Sequence, residues 1–282
     1  MVRFLNNVKT VVLLGMMSGL VLAAGWLLGG GGTAGLTLAL IVCGVMNFVA
    51  LFFSDKIAIA AMRGQEVDAK SAPDLVPMVE RLAKNAGLPM PKVYVCPQEA
   101  PNAFATGRSP SKAAVAVTNG AMRLLDYQEL EGVIGHELAH IKNRDTLTST
   151  IAATIAGALQ WLGYMFLFGG GNRDNPMAMI GMLVMIIAAP IAAMVIQMAI
   201  SRSREYVADA DGAEIAGSPH GLVNALRKLE AYGKRIPLQN EMPAQNHMFI
   251  IKPLSGRRSG LSELFSTHPP TAKRISKLLE NR

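Results

Sequence analysis

Apolar residues are concentrated in four long runs, which form two pairs along the chain. The first pair covers residues 10–29 and 34–53, and both runs are uncharged and joined by a short glycine-rich link. The second pair covers residues 147–168 and 177–200. About 20 apolar residues suffice to cross the hydrocarbon core of a bilayer as a helix. The pattern therefore predicts four transmembrane helices in two hairpins.

Each hairpin has an alternative interpretation. The first run could be a signal peptide, but it is longer than a typical signal core and a second span follows almost at once, which disfavours cleavage. The second pair contains Gln160 and Pro190. Polar groups and proline are tolerated in membrane helices whose neighbours satisfy the backbone. The alternative is a hairpin that packs against the rest of the protein and only dips into lipid.

The polar stretches between these runs complete a four-part organisation. We predict a transmembrane hairpin in residues 1–53, a soluble part in 54–145, a second hairpin in 146–200 and a second soluble part in 201–282. The fold class expected is a mainly helical α+β membrane protein.

The first soluble part carries one helical pattern and several strand patterns. Ala72–Ala86 has apolar residues at helical spacing, and prolines follow it. Lys92–Cys96 and Ala113–Thr118 have the composition of strands, and Phe104 and Ala105 are expected in a further short strand. We therefore predict a small sheet beside the helix described next.

A His-Glu-Leu-Ala-His motif lies on a predicted helix from Gln128 to Asn143 that Asp126 can cap. His136 and His140 are one helical turn apart, so both imidazoles project from one face and can bind one zinc ion. Glu137 then lies beside the metal and can take a proton from water. The alternative is a coincidental match on a surface helix.

A third ligand is needed, because catalytic zinc usually has three protein ligands and one open position. Glu205 and Asp209 are spaced by four residues, so Glu205 can bind the metal while Asp209 orients a zinc-bound histidine. The alternative is a solvated acidic stretch paired with Arg202 and Arg204. The first motif favours ligation.

Charge and composition locate the protein and exclude one class of partner. Basic residues cluster where the soluble parts meet the apolar runs and are nearly absent from the two opposite loops, which predicts that both termini and the motifs are cytoplasmic. The formal charge of +7 suits a surface beside the lipid bilayer. Basic residues are dispersed and aromatics amount to 6%, so a nucleic-acid partner is not expected. Cys43 and Cys96 are read as packing residues in a reducing compartment.

Together these motifs resemble those of HtpX-type membrane zinc metalloproteases, relatives of the integral-membrane peptidases that process CAAX proteins. The resemblance rests on the two motifs above, on Ser-Thr-His-Pro-Pro at 266–270, and on Asn102, Ala103, Phe104 and Ala105. It extends from about residue 60 to the C-terminus.

The resemblance implies a gluzincin-like protease domain with one Zn²⁺ per chain. It implies that His268 and Arg274 face the zinc cleft and stabilise the oxyanion. A histidine before two prolines can instead be a loop residue or a cap of the helix that the prolines begin. The resemblance to HtpX-type proteases also implies a bacterial inner-membrane protease in stress-linked quality control of misfolded or damaged membrane proteins. The oligomeric state stays open.

Residues 102–105 are the candidate substrate-binding strand. In many zinc peptidases a sheet edge accepts the polypeptide as an added strand through backbone hydrogen bonds. Substrates would then be membrane proteins or unfolded polypeptides. The alternative for this stretch is an ordinary solvated hairpin.

Two rival functions belong to other classes. A transporter or channel with a structural zinc site would normally need charged residues inside its spans, and the four runs contain none. A chaperone-like binder would keep the metal for stability and would function without Glu137.

Overall fold

A computed structural model describes several stretches of the chain. The described residues are 33–149, 151, 202–235 and 269–280, with positions 8, 11, 12, 14, 15, 18, 19 and 22. The chain divides into two compact units, one gathering mainly residues 3–54 and 148–199, the other 55–147 and 200–282. Each unit is described by itself below.

Helix α1 (Thr33–Ala61) begins in the first unit. It exposes a series of large apolar side chains: Leu40, Ile41, Val45, Phe48, Phe52 and Phe53. One polar contact joins it to the preceding segment, where the Asn47 side-chain amide donates to Ser18 Oγ at 3.0 Å.

Among the described residues, no helix combines the length and the apolar character of a membrane span. The predicted span 34–53 falls within α1. The predicted span 177–200 lies wholly outside the described residues, and 10–29 and 147–168 lie mostly outside them. The number of spans therefore stays a prediction, as does the question of whether the second hairpin crosses the bilayer.

The second unit contains a four-stranded mixed sheet with the order β1-β2-β4-β3. The strands are β1 (Gln65–Glu66), β2 (Lys92–Cys96), β3 (Ala103–Gly107) and β4 (Ala113–Thr118). β2 and β4 are parallel, and β1 and β3 pair antiparallel with their neighbours. The predicted strands at 92–96 and 113–118 have the expected limits. Because β3 has a neighbour on one side only, it forms an edge of the sheet.

Six further helices are described in this unit: α2 (Leu75–Asn85), α3 (Asn119–Leu124), α4 (Tyr127–Asn143), α5 (Arg202–Ala216), α6 (His220–Arg235) and α7 (Thr271–Glu280). The helix predicted at 72–86 is shorter than expected. The helix begins at Leu75 and not at residue 72. The chain before it forms a turn in which Asp68 Oδ1 accepts from the Ser71 N–H and hydroxyl. The mainly helical α+β class with a small mixed sheet is confirmed.

Helix α4 has clear start and stop signals. The Glu129 backbone N–H donates to Asp126 Oδ1, and the Asp126 N–H donates to Glu129 Oε2, which completes a capping box. The helix ends at Arg144, which is left-handed with φ 59°. The chain is helical again from residue 145 to 149. The cap predicted at Asp126 is therefore present.

Helix α4 crosses α5 at two glycines. A Cβ added to Gly212 would lie 2.7 Å from the N and Cα atoms of His136, and one added to Gly135 would lie 2.7 Å from the Gly212 carbonyl oxygen. Such distances are too short for any side chain, so glycine at both positions lets the two backbones approach. The crossing brings the residues of α5 within reach of the histidines of α4.

The core of this unit lies around α4, with apolar side chains from the sheet and from α2, α5, α6 and α7. Its fully buried members include Met78, Val79, Leu82, Val115, Val117, Ile134, Leu138, Ala208, Leu222 and Leu226. Burying a side chain of this size contributes about 1.5–3 kcal/mol. Because α4 is packed on several sides, the polar residues of its motif are held inside a rigid core.

Candidate metal centre

Three donor groups converge between α4 and α5. The Nε2 atoms of His136 and His140 lie 3.1 Å apart. Glu205 Oε2 lies 3.8 Å from His136 Nε2, and Glu205 Oε1 lies 3.5 Å from His140 Nε2. Since metal–ligand bonds near 2.0–2.1 Å at tetrahedral angles separate donor atoms by about 3.3 Å, this set fits one ion of zinc-like size. Among the described residues, these three form the group that could hold a metal.

The His136 ring is backed by a carboxylate and an arginine. Asp209 Oδ1 lies 3.0 Å from His136 Nδ1, a close contact whose alignment falls short of a good hydrogen bond. On its other side Asp209 accepts from Arg274 Nε at 2.8 Å and from Arg274 Nη2 at 2.6 Å. Arg274 Nη1 also lies 3.8 Å from Glu205 Oε2, so this guanidinium serves both carboxylates.

Burial alone would raise the pKa of Asp209, but Arg274 and His136 outweigh it and lower this pKa to about 2. Burial would likewise lower the pKa of Arg274, while Asp209, Glu205 and Glu137 raise it. Both groups therefore stay charged at neutral pH, although Arg274 is only 1% exposed.

The His140 ring has a similar support from a different part of the chain. Asp145 Oδ2 lies 3.0 Å from His140 Nδ1, and Arg204 Nη1 donates to Asp145 Oδ1 at 3.1 Å. Burial lowers the pKa of His140, but the Asp145 hydrogen bond and the charges of Glu205, Asp145 and Glu137 raise it to about 9. Since a carboxylate only accepts, the proton lies on His140 Nδ1 and Nε2 is turned to the metal position.

Glu137 is buried beside the sheet edge. The Ala105 backbone N–H donates to Glu137 Oε2 at 2.8 Å. This N–H is available because residues alternate along β3: Thr118 N–H donates to the Asn102 carbonyl and Phe104 is paired with Ala116, so Ala105 faces away from β4. The free edge of β3 therefore adjoins the candidate general base.

The structure locates the other predicted substrate-binding residues inside the sheet. Asn102 is buried, and its N–H donates to Thr118 Oγ1 at 2.8 Å. The Phe104 side chain packs in a small core with Ile59 and Met62. Ala103 and Ala105 therefore carry the backbone groups that face away from β4, of which the Ala105 N–H contacts Glu137, while Asn102 and Phe104 fix the strand in place.

The structure brings His136, Glu137, His140, Glu205 and Asp209 together as the spacing predicts. The alternative of a solvated acidic stretch does not fit, because Glu205 and Asp209 are 3% and 2% exposed. Arg274 reaches the cluster, but its guanidinium is held by the Asp209 carboxylate. His268 lies outside the described residues, so its predicted role stays a prediction.

Sequence reasoning missed Asp145 and did not assign Arg204 to the centre. Five residues after His140, Asp145 would lie about 140° around a continuous helix, on the wrong face for the ring. The left-handed residue Arg144 breaks the helix and turns the carboxylate back. A charged residue directly after the motif helix was the only available signal, and it carries no spacing rule.

Comparisons with known proteins identify the family. The model of Peptidase family M48 matches residues 69–282. A "Protease HtpX homolog" from Desulfatibacillum aliphaticivorans is 54% identical over 280 residues, covering 97% of this chain and 89% of that protein. The chain belongs to peptidase family M48.

Two further relatives agree with this family. A "Protease HtpX homolog" of Desulforapulum autotrophicum is 50% identical over 280 residues, covering 97% of this chain and 89% of the relative. Another from Persephonella marina is 50% identical over 284 residues, covering 98% and 97%. The predicted resemblance to HtpX-type proteases is confirmed. The M48 chain is a metallopeptidase with a His-His-Glu cluster that could hold its metal.

A solved structure has a fold similar to that of this chain. The crystal structure of S. mikatae Ste24p matches with a TM-score of 0.53 at 16% identity, covering 98% of this chain and 66% of that one. At this identity the likeness concerns the fold alone. It agrees with the mainly helical α+β architecture described above.

Proposed function

We propose that this chain is a zinc-dependent endopeptidase of the bacterial inner membrane, with a cytoplasmic active site that cleaves misfolded or damaged membrane proteins during stress. The observation that carries the zinc assignment is the set of distances between His136, His140 and Glu205, from 3.1 to 3.8 Å. Two imidazoles and a carboxylate, with a fourth position left for water or substrate, are typical of catalytic zinc.

Zinc bound by these residues would supply a Lewis acid that polarises the scissile carbonyl and activates water. Glu137 takes a proton from the attacking water and later gives it to the leaving amine. The Ala105 N–H holds Glu137 Oε2, which fixes the direction of the carboxylate during both transfers. Arg274 keeps Asp209 ionised, so the carboxylate stays an acceptor beside His136.

Substrate binds as a strand along the edge of β3 that faces away from β4. The Ala105 N–H on this edge already donates to Glu137, so the substrate pairs with the other outward backbone groups of Ala103 and Ala105. Main-chain hydrogen bonds of this kind recognise an extended chain without regard to sequence. This mode suits unfolded polypeptides, because only an unfolded segment can offer a free backbone. It supports substrates that are misfolded or damaged.

The membrane location is supported by the four apolar runs of the sequence and by the exposed apolar side chains of α1. The cytoplasmic side is supported by the basic residues that flank those runs. The stress-linked role rests on the likeness to HtpX-type proteases.

The proposal is tested by replacing Glu137 with Gln and measuring casein cleavage and zinc content of the detergent-purified chain. Because general acid–base catalysis contributes about 10²–10⁴-fold, cleavage should fall by that factor while zinc stays at one per chain. Glu131→Gln is the matched control, since Glu131 lies on the same helix and pairs with Arg81 at the surface. Unchanged cleavage in the Glu137 variant would reject the role assigned to Glu137. A chain that binds zinc but cleaves no casein before any substitution would instead favour a chaperone-like binder.

A further inference from the structure

Asp145 occupies an unusual position at the metal centre. It is a buried carboxylate whose two oxygens have different partners, His140 Nδ1 at 3.0 Å and Arg204 Nη1 at 3.1 Å. His140 is a candidate ligand on α4, and Arg204 directly precedes the candidate ligand Glu205 on α5. One side chain therefore connects the two helices that contribute ligands.

The local backbone makes this contact possible. Arg144 is left-handed at φ 59°, and its N–H bonds to the carbonyl oxygens of His140 and Ile141. The turn closes α4 and returns the next residue toward His140. The following residue, Thr146, fixes the turn from the other side, because its hydroxyl donates to the Gly107 carbonyl at 3.0 Å. Asp145 is therefore held in place by contacts of its two sequence neighbours, and these contacts do not involve the side chains of the candidate ligands.

We propose that Asp145 is a positioning residue for the metallopeptidase reaction. It holds the His140 ring with Nε2 toward the metal, and through Arg204 it holds the first turn of α5 that carries Glu205. Asp145 contacts no substrate and transfers no proton. This inference rests on the proposed zinc chemistry and adds a third carboxylate, beside Glu205 and Asp209, on which metal affinity depends.

A second carboxylate shows what a merely structural link between the same helices looks like. Asp211 on α5 accepts from the Asn143 side-chain amide on α4 at 2.7 Å. This contact also joins the end of α4 to α5, and it joins two residues that are neither candidate metal ligands nor the carboxylates beside the two histidines. If Asp145 only held the helices together, its removal should resemble the removal of Asp211.

The test compares Asp145→Asn with Asp211→Asn in the full detergent-purified chain. Zinc affinity is measured by competition with a chromophoric chelator. Residues that orient metal ligands typically change metal affinity by about 10–100-fold, so Asp145→Asn should weaken zinc binding by that factor. Asp211→Asn should change it by less than about threefold. Asparagine keeps the size of the side chain but places an amide toward His140 or toward Arg204, where a donor is unfavourable.

Two further readouts separate positioning from general loosening. The absorption spectrum of bound Co²⁺ reports ligand geometry, and it should shift in Asp145→Asn and stay unchanged in Asp211→Asn. At saturating zinc, kcat for a peptide should fall while KM stays near that of the unchanged chain. Arg204→Lys keeps the positive charge and should give an intermediate loss of zinc affinity.

The outcomes are distinguishable. Wild-type zinc affinity and an unchanged Co²⁺ spectrum in Asp145→Asn would overturn the proposal, as would equal losses in both aspartate variants. Should Asp145→Asn fail to fold, Arg204→Lys decides through the same zinc competition, with unchanged affinity counting against the proposal. A chain that binds no zinc and cleaves nothing before any substitution would instead overturn the proposed function.

Discussion

Each of the two histidines of the centre is supported by a carboxylate and an arginine, but the supporting residues come from different parts of the chain. In each case the ring Nδ1 faces a buried carboxylate, and the carboxylate faces a buried arginine. For His136 the supporting pair is Asp209 and Arg274. For His140 it is Asp145 and a further arginine, Arg204. Fixing both rings in this way leaves both Nε2 atoms directed to one point.

The two supports differ in their described hydrogen bonds, in the exposure of the histidine and in origin. Arg274 makes two hydrogen bonds to Asp209 at 2.8 and 2.6 Å, whereas Arg204 makes one described hydrogen bond to Asp145 at 3.1 Å. His136 is 2% exposed and the His140 side chain 16%. Asp209 and Arg274, which support His136, come from α5 and α7, far from His136 in sequence. Asp145, which supports His140, follows the left-handed residue that ends α4. The comparison teaches that a more buried and a more exposed histidine can serve one metal centre.

The largest expected effect is the loss of unfolding free energy when either supporting arginine is replaced by alanine. Arg274→Ala leaves the charge of Asp209 buried without its partner, which typically costs about 3–5 kcal/mol of unfolding free energy. Arg204→Ala also takes an arginine away from a buried carboxylate, but Asp145 keeps its hydrogen bond with His140, so the cost should be smaller, about 1.5–3 kcal/mol. Unfolding of the detergent-solubilised variants in the presence of chelator measures both. Equal losses would show that the two supports do not differ in strength.

A smaller effect is expected from pH on the chelator-treated protein. The pKa of His140 is raised from 6.5 to about 9, so its contribution to stability is complete below pH 6.5 and is lost as pH rises through about 9. The pKa of Asp209 is lowered from 3.8 to about 2, so its contribution is present above pH 3.8 and is lost as pH falls through about 2. The unfolding free energy measured between pH 6 and 10 should therefore decline by at most about 3–4 kcal/mol.

Asp145→Asn should flatten that decline, because the hydrogen bond to Asp145 is a main cause of the raised pKa of His140. Asp211→Asn should leave the decline unchanged. If the decline persists in Asp145→Asn, titration of groups other than His140 causes it.

The smallest effect concerns the turn that creates the second support. Arg144 and Arg63 are the described non-glycine residues with positive φ. Because glycine adopts this conformation without the cost of about 1–2 kcal/mol, Arg144→Gly should raise stability by up to that amount and keep zinc affinity. Arg63→Gly is the matched control, with a similar gain. Loss of zinc affinity in Arg144→Gly would mean that the arginine side chain itself acts at the centre.

The local parts of the site were predictable from the sequence. The i, i+4 spacings of His136 with His140 and of Glu205 with Asp209 define shared helix faces, and Asp126 marks the start of α4. These rules involve neighbouring residues on one helix, so they hold before any tertiary contact forms. The strands at 92–96 and 113–118 follow from the same kind of local pattern.

The contacts that complete the site involve residues without any spacing relation. Arg274 reaches Asp209 only because α7 packs on α5, and Glu137 meets Ala105 only because α4 lies along the edge of β3. Asp145 reaches His140 only because of the left-handed turn at Arg144, which no hydrophobic pattern predicts. The sequence by itself determined the helices, the ligand types and the chemistry they permit. The tertiary structure decided which distant charges neutralise one another, since Coulomb and hydrogen-bond energies depend on distances that only packing sets.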